Sequence, residues 1–303
     1  MALPRVVSIP QWARVYGRRI AILELLARLG GRRPKPSRRM PGEDFRSKLD
    51  ARFKYWFLPS RSRNLAFVAG LVNKTAMYPY VKSKRLELPR RHADVASLDF
   101  VDFSALPDRV VVKPSSASMS AGVMLFSSNV ELLSGDRVPV SSRASYARDK
   151  LAAAQDYCVN GESRIIIEEL VEDYDLAYAI PRDFKVYVAG GRARLIEVID
   201  RNGPKDTWSH SFYSRDWDFI DQEVQTAYKR GPRFEPPEKL AALVAAADSL
   251  AKDLRCFYRL DFYMARRGPV FGEFTSYPFG GKGFTAFGDR LMCNMMDEYP
   301  DAV

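Results

Sequence analysis

The chain has 303 residues, of which 47% are hydrophobic and 28% charged, and its net charge is +10. This length predicts two or three subdomains, and this composition indicates a globular rather than a disordered chain. Three separated cysteines exclude a disulfide framework, and two histidines argue against a histidine metal site. No apolar run approaches the roughly 20 residues that span a membrane, and the N-terminus does not resemble a signal peptide, so we expect a cytoplasmic protein.

The positive charge is concentrated in residues 1–40, which hold nine arginines and one lysine against a single glutamate. Apolar residues at helical spacing through 11–29 predict a helix, and a basic, proline-containing tether follows. One interpretation is a helix that is docked on the body with a solvated basic face. The other is an adaptor for an anionic polymer or for a membrane surface, which would hold the protein at the inner face of the membrane. Without an RNA-binding signature or a zinc finger, nucleic acid ranks last among these partners.

The segment 44–80 has its apolar residues at helical intervals, and prolines punctuate 79–107, which predicts short strands and loops there. Lys74 follows the helical apolar stretch, where a lone lysine is usually solvated. A β-branched strand then ends at Lys113 and leads into the small-residue loop 115–122. Small residues allow backbone N–H groups to approach phosphate oxygens, and the lysine supplies a point charge. The Walker pattern is absent, and a hairpin loop without a ligand would have the same sequence character.

An isoleucine-rich strand beginning at Arg164 runs into Glu168 and Glu169. Acids at the end of a buried strand are costly unless they accept hydrogen bonds, which favours a binding role. A hairpin over 182–199 carries Lys185, and an amphipathic core helix follows at 237–254.

The stretch 258–275 alternates apolar and polar residues on both sides of a tight turn, which predicts a hairpin. One face of the first strand carries Arg259, Asp261 and Tyr263. One face of the second strand is expected to carry Phe271, Glu273 and Thr275. Pairing the strands sets Asp261 beside Glu273, and two adjacent carboxylates repel unless a cation such as Mg²⁺ lies between them. The alternative is an ordinary hairpin with solvated acids.

These motifs occur in a characteristic order: a lysine before the sheet, strand–Lys-Pro–small-residue loop, strand–Glu-Glu, an Asp-Phe-Lys hairpin, then Arg-x-Asp and Gly-Glu-x-Thr. From about Lys74 onwards this order resembles the ATP-grasp superfamily, and more closely its branch similar to the teichuronopeptide biosynthesis protein TupA. The resemblance implies an α/β (α+β) ATP-grasp fold, in which two α+β subdomains grip ATP, here with a helical basic N-terminal extension. The expected divisions are a basic helix and tether at 1–45, a helical and mixed segment at 46–107, a lid subdomain at 108–168 and a C-terminal subdomain with the metal site at 169–303.

The resemblance also implies roles for individual residues. ATP would be contacted by Lys74, Lys113, Ser115, Ser116, Ser118, Gly122, Glu168, Glu169, Leu170, Val171, Asp175 and Lys185. Within this set the first two lysines would hold phosphates, the serine loop would close over them, Glu168 would bind the adenine amino group, and Asp173 or Asp175 would hold the ribose. The catalytic residues would be Arg259 and Lys185. Two Mg²⁺ ions would be bound by Asp261, Glu273 and Thr275. The last of these stands where the family usually has asparagine, which puts the second ion in question.

The function that the resemblance implies is a ligase that forms an acyl phosphate from a carboxylate and ATP and then an amide with an amine. Relatives of TupA suggest a uronic-acid-type carboxylate in surface polysaccharide synthesis as the acceptor. Two alternatives stay open: a phosphotransferase that acts on a sugar hydroxyl, and a non-catalytic protein that binds a nucleotide or a glycan.

Overall fold

A computed structural model of the chain describes residues 44–56, 63–72, 74–115, 120–155 and 164–299. The helices within these residues are α1 Phe45–Trp56, α2 Arg63–Gly70, α3 Lys74–Ser83, α4 Arg143–Ala153, α5 Leu240–Leu254 and α6 Ala286–Glu298. The strands are β1 Arg91–Val95, β2 Val110–Pro114, β3 Met124–Ser127, β4 Val130–Glu131, β5 Ile165–Glu169, β6 Asp183–Ala189, β7 Arg192–Asp200, β8 Ser209–Ser214, β9 Lys229–Arg230, β10 Tyr258–Ala265 and β11 Gly268–Thr275. They form two separate sheets accompanied by helices, in agreement with the predicted α+β class.

The smaller sheet is antiparallel and has the strand order β1-β5-β2-β3-β4. Its core lies beneath α4, where Ala147 meets Val110 and Phe126. The strands of this sheet lie between Arg91 and Glu169, so the sheet begins before residue 108, where the lid subdomain was expected to begin. The predicted basic helix and tether lie outside the described residues. Among the described helices, none is long and apolar enough to cross a membrane.

The larger sheet has the strand order β11-β10-β6-β7-β8-β9 and is antiparallel except for its last pair. The alternation of β6 explains how it is packed. Phe184, Val186 and Val188 point to one face, where they join the largest buried cluster together with Leu243 and Leu250 of α5. Burying such side chains is the main favourable term in forming this layer.

The opposite face of the larger sheet is only partly covered. At one end α1 and α6 lie over it, and Phe45 and Met292 pack there against Tyr187 and Phe212. The α6 helix is capped by Thr285, whose hydroxyl accepts a hydrogen bond from the Gly288 N–H. The other end of this face carries charged side chains, among them Asp261, Lys185 and Glu197.

The β10–β11 hairpin contains a bulge that the sequence did not predict. Asp261 pairs with Glu273, but the next residue, Phe262, pairs with Phe271, so that Gly272 is the extra residue. The bulge turns Phe271 to the buried face, where its ring lies 5.1 Å from that of Phe262. The expectation that Phe271 shares a face with Glu273 and Thr275 is therefore wrong.

Candidate active site

A row of ionisable side chains crosses the uncovered end of the larger sheet. Glu273 on β11 pairs with Asp261 on β10, and Asp261 pairs with Lys185 on β6. Lys185 in turn pairs with Glu197 on β7. Directly paired residues point to the same face with Cβ atoms about 5 Å apart. The hairpin register therefore places the two carboxylates side by side, as the alternation predicted.

Asp261 is the centre of this row and is buried. Its carboxylate accepts hydrogen bonds from Arg259 Nε at 2.7 Å, Arg259 Nη2 at 2.8 Å and Lys185 Nζ at 2.7 Å. Burial alone would raise the pKa of Asp261, but the two cations more than offset burial and hold that pKa well below its usual range. A carboxylate has about four lone-pair positions, so these three N–H donors leave room for about one further bond, to a metal ion for example.

Glu273 and Thr275 complete the oxygen donors of the row. The Glu273 side chain is 47% exposed, and its Oε1 lies 4.0 Å from Arg259 Nη2. Thr275 Oγ1 accepts a hydrogen bond from the same nitrogen at 3.1 Å. Within the described residues, no group of three or more His, Cys, Asp or Glu side chains gathers to bind a metal. Two carboxylates and a hydroxyl fit Mg²⁺, which typically takes one or two carboxylates from a protein and its other ligands from phosphates and water.

The two cations of the row stay charged despite their burial. Burial lowers the pKa of Arg259 and of Lys185, but the neighbouring carboxylates outweigh it and leave both pKa values above their usual range. Asp183 contributes to this field, with Oδ2 at 3.8 Å from Lys185 Nζ and at 2.6 Å from Arg201 Nη2. The sheet thus presents paired charges that are held in place before any ligand arrives.

A second cluster faces the row from the smaller sheet and α3. Glu168 pairs with Lys113 through one carboxylate oxygen and accepts a hydrogen bond from Tyr78 Oη at 2.8 Å through the other. Burial lowers the pKa of Lys113, but Glu168 outweighs it and the net pKa is raised. For Lys74 the balance is opposite, because burial lowers its pKa by more than Glu273 raises it. Glu273 of the larger sheet and Glu168 of the smaller one both oppose this lowering of the Lys74 pKa.

The connection after β5 joins the two sheets. Leu170 packs with Leu125 of the smaller sheet, whereas Val171 packs with Ala265 and Val270 of the larger one. The side chain of Glu169 points to the opposite face of β5 from that of Glu168. It accepts hydrogen bonds from the Arg90 N–H at 3.0 Å and from Arg267 Nη2 at 2.9 Å. The predicted hinge residues therefore lie at the junction, and Glu169 ties the hinge to the turn between β10 and β11.

The two acids predicted for the ribose have different surroundings. Asp173 is fully buried, and its carboxylate accepts hydrogen bonds from Arg182 Nε at 3.1 Å and Nη2 at 2.8 Å. Asp175 is exposed and caps the Ala177 N–H at 3.1 Å. Asp175 is accordingly the acid that a ligand could reach.

The small-residue loop is described only at its two ends. Ser115 Oγ accepts a hydrogen bond from the Arg164 N–H at 3.1 Å, which holds the loop to the start of β5. Gly122 has a φ of +71°, and a Cβ at this position would lie 2.9 Å from the Cβ of Ala154, so this glycine is required by both backbone and packing. Ser116 and Ser118 lie outside the described residues.

Sequence reasoning missed several residues that belong to this site. Tyr78 reaches Glu168 because it lies four residues after Lys74 on α3, and the i, i+4 spacing on one helix face was a usable signal. Arg201 follows β7 and reaches Asp183 across the sheet, a contact that no local pattern indicates. His210 on β8 also contacts the row, with its Nδ1 at 2.8 Å from Glu197.

The arrangement suits a bound polyanion. Lysines approach it from the smaller sheet and α3, and Lys185 and Arg259 approach from the larger sheet, with two carboxylates available for a metal ion. Cations and a divalent metal on opposite sides of one cleft are what a nucleoside triphosphate requires, because its oxygens must be neutralised before a phosphoryl group can move.

Comparison with known proteins gives a family match over most of the chain. The model of the TupA-like ATP-grasp family matches residues 52–297. No curated protein shows significant sequence similarity to the chain. The match confirms the predicted resemblance to the TupA-like branch of the ATP-grasp superfamily.

Solved structures with a similar fold include several ATP-grasp ligases. D-alanine–D-alanine ligase from Bacillus anthracis, complexed with ATP, is 13% identical with a TM-score of 0.44, and the match covers 77% of this chain and 65% of that one. VanG D-Ala:D-Ser ligase from Enterococcus faecalis is 14% identical with a TM-score of 0.47, covering 78% and 62%. L-amino acid ligase from Bacillus licheniformis is 14% identical with a TM-score of 0.44, covering 76% and 47%. The chain thus spans less than two thirds of the length of each of these three proteins.

Proposed function

The chain belongs to the TupA-like ATP-grasp family, and from this premise we propose that it uses ATP to join a carboxylate to an amine. The observation that carries the proposal is the pairing of Asp261 with Glu273 beside the buried cations Arg259 and Lys185. This row can hold a metal ion and a transferring phosphoryl group at the same place.

ATP would lie between the two clusters. Lys74 and Lys113 would contact its phosphates from the side of the smaller sheet, and the adenine would lie near Glu168 and the junction formed by Leu170 and Val171. The proposed metal ligands are Asp261, Glu273 and Thr275, holding two Mg²⁺ ions. When bound, Mg²⁺ would neutralise phosphate oxygens and align them for transfer.

The proposed reaction has two steps. An oxygen of the acceptor carboxylate attacks the γ-phosphorus of ATP, the bond to the bridging oxygen breaks, and ADP leaves with that electron pair. The amine then attacks the acyl carbon of the acyl phosphate, loses a proton, and inorganic phosphate departs. Arg259 and Lys185 would lie against the phosphoryl oxygens, where two fixed cations stabilise the charge that is being redistributed.

For the acceptor we propose a uronic-acid-type carboxylate used in making surface polysaccharide, and for the amine an amino acid. The support is the resemblance to the teichuronopeptide biosynthesis branch. The basic segment 1–40 would then bind an anionic polymer or a membrane surface. It would hold a cytoplasmic protein at the inner face of the membrane. Its net charge, carried by nine arginines and one lysine against one glutamate, is the observation that favours this role.

The test is a screen of the purified protein with ATP, Mg²⁺, candidate sugar acids and amino acids. A ligase releases one inorganic phosphate for each amide product, which mass spectrometry identifies by the loss of one water from the combined substrates. Glu273→Gln should abolish turnover, and the matched control Glu298→Gln, at an exposed position on α6, should not. Phosphate that stays on a sugar product would identify a phosphotransferase, and nucleotide binding without turnover would identify a binding protein.

A further inference from the structure

Three aromatic side chains pack one against the next beside the charged row, the Trp208–Tyr228 pair tilted at 39° and the Tyr228–Phe279 pair edge-to-face at 73°. The rings of Trp208 and Tyr228 have centroids 6.4 Å apart, and those of Tyr228 and Phe279 are 6.5 Å apart. All three residues are half-buried. We call these three residues the aromatic shelf. None of them was assigned to the nucleotide or to the metal ions.

An arginine lies at each end of the aromatic shelf. Arg201 Cζ is 6.0 Å from the centroid of the Trp208 ring, and Arg259 Cζ is 5.4 Å from that of the Phe279 ring. Arg259 also binds Asp261 and so belongs to the proposed phosphoryl-transfer site. The aromatic shelf therefore runs from the proposed reaction centre towards a second cation.

Arg201 has more hydrogen-bonding capacity than its surroundings use. Of the five N–H donors of a guanidinium, one binds Asp183, and the buried Nε has no partner. The side chain is only 16% exposed. A largely buried arginine with unused donors is costly unless a ligand completes its bonds, and carboxylates match its geometry.

Tyr228 connects the aromatic shelf to the charged row. Burial raises the pKa of the Tyr228 hydroxyl, and the Arg201 and Lys185 cations oppose that rise. The Tyr228 ring packs edge-to-face against His210, at 5.6 Å between ring centroids. His210 is itself fixed by Glu197 at 2.8 Å and by the Gln225 carbonyl at 2.9 Å. Within the described residues, no group receives a hydrogen bond from the Tyr228 hydroxyl.

We infer that the aromatic shelf binds an acidic oligosaccharide, with the reacting carboxylate at the Arg259 end and the carboxylate of a neighbouring sugar unit at Arg201. The inference rests on the proposed function and names the acceptor class for the same site. A pyranose ring offers a C–H face that packs on aromatic rings and a rim of hydroxyls that can bond to Tyr228. The two arginines lie beside the outer rings of the aromatic shelf, Trp208 and Phe279, and a ligand that carries two anionic groups could contact both of them. A single sugar acid satisfies only one of them.

Binding can be measured without turnover, by calorimetry on the full chain saturated with Mg²⁺ and a non-hydrolysable ATP analogue. The probes are digalacturonate, galacturonate and a neutral disaccharide. Digalacturonate should bind about tenfold or more tighter than galacturonate, since the second carboxylate adds a charge-assisted contact. The neutral disaccharide should bind more weakly than either.

Arg201→Gln should remove most of the advantage of digalacturonate and leave the affinity for galacturonate and for the ATP analogue unchanged. The matched control is Arg215→Gln, which removes an arginine that pairs with Asp248 of α5 away from the site. Trp208→Ala keeps every charge and should also lower the affinity for digalacturonate. This second variant tests the inference if Arg201→Gln does not fold.

Equal affinity for the two acids in the wild type would overturn the inference. So would a parallel loss of ATP-analogue binding in Arg201→Gln, because the aromatic shelf would then belong to the nucleotide. The proposed ligase reaction is tested separately. If digalacturonate binds as expected but yields no phosphate and no amide, the binding role of the aromatic shelf is supported and the ligase reaction is refuted. If amides form from other carboxylates and digalacturonate does not bind, the ligase reaction is supported and the binding role of the aromatic shelf is refuted.

Discussion

Asp261→Asn should destabilise the protein as well as inactivate it. The residue is buried, and three N–H groups of Arg259 and Lys185 donate to its carboxylate at 2.7–2.8 Å. Asparagine has nearly the same shape but removes the negative charge, and it turns an amide N–H₂ towards two buried cations. A metal ligand in an accessible cleft could be replaced without harm to the fold. The buried ion pairs change that expectation.

The magnitude follows from removing one partner of a buried, hydrogen-bonded pair, which costs about 3–5 kcal/mol. For a chain of this size the melting temperature should fall by about 5–10 °C at pH 7. Because the pKa of Asp261 is lower in the folded state than in the unfolded one, its stabilisation is present above about pH 4 and is lost as the pH falls below that value. The difference between wild type and variant should shrink by about 1.4 kcal/mol per pH unit in that acid range.

Thermal melting and urea unfolding from pH 7 to pH 3 measure this difference, and phosphate release from ATP is followed beside them. The matched control is Asp216→Asn, whose side chain is 81% exposed and 3.9 Å from Arg215 Nε. A surface change of that kind should stay within about 0.5 kcal/mol of wild type. A variant Asp261→Asn that melts like wild type at pH 7 would refute the view that this carboxylate holds the two cations in place.

Three further outcomes are expected. Burial lowers the pKa of Lys74, so the affinity of the wild type for ATP should fall as the pH rises through a value below 10.5. Lys74→Arg should keep its affinity over the same range, because arginine stays charged. Identical pH profiles of the two proteins in calorimetry would contradict a contact between Lys74 and phosphate. Thr275→Asn should retain ATP-dependent turnover, since an amide oxygen can also bind Mg²⁺ and accept from Arg259, and complete loss would mean that the hydroxyl has another task. Deleting residues 1–40 should raise the KM for a large acidic acceptor at low salt only and leave the KM for ATP unchanged. A lower melting temperature with equal loss for all substrates would instead identify a docked helix.

Two hairpins of the larger sheet were predictable, because β6 and β10 alternate apolar and polar residues over most of their length. In β10 the alternation of Arg259 and Asp261 with apolar neighbours gave the correct face and the correct partner, Glu273. The bulge at Gly272 was not predictable from the pattern, since one inserted residue leaves the composition of the strand unchanged while it turns Phe271 into the core. The alternation therefore predicted the pairing of Asp261 with Glu273 and failed at the neighbouring residues of β11.

The surroundings of the site depended on contacts between distant segments. Tyr78 and Glu168 are 90 residues apart, and neither local sequence indicates the other. Asp173 was expected as an alternative to Asp175 for the ribose, but its bidentate bond with Arg182 becomes visible only when the loop is folded. Charge alone does not distinguish a buried structural pair from a ligand-binding group, because both use the same residue types.

The charges of the site differ in how they are compensated, and this difference suggests how ATP would act on the cleft. Lys113 is paired with Glu168, and Lys185 and Arg259 are paired with Asp261. Within the described residues, no carboxylate lies at ion-pair distance from Lys74, and its pKa is lowered by burial. A phosphate near Lys74 would therefore supply a counter-charge that the protein does not, whereas at the other three cations it must compete with an existing carboxylate. We therefore expect nucleotide binding to offset the burial of the Lys74 charge more than that of the other three cations.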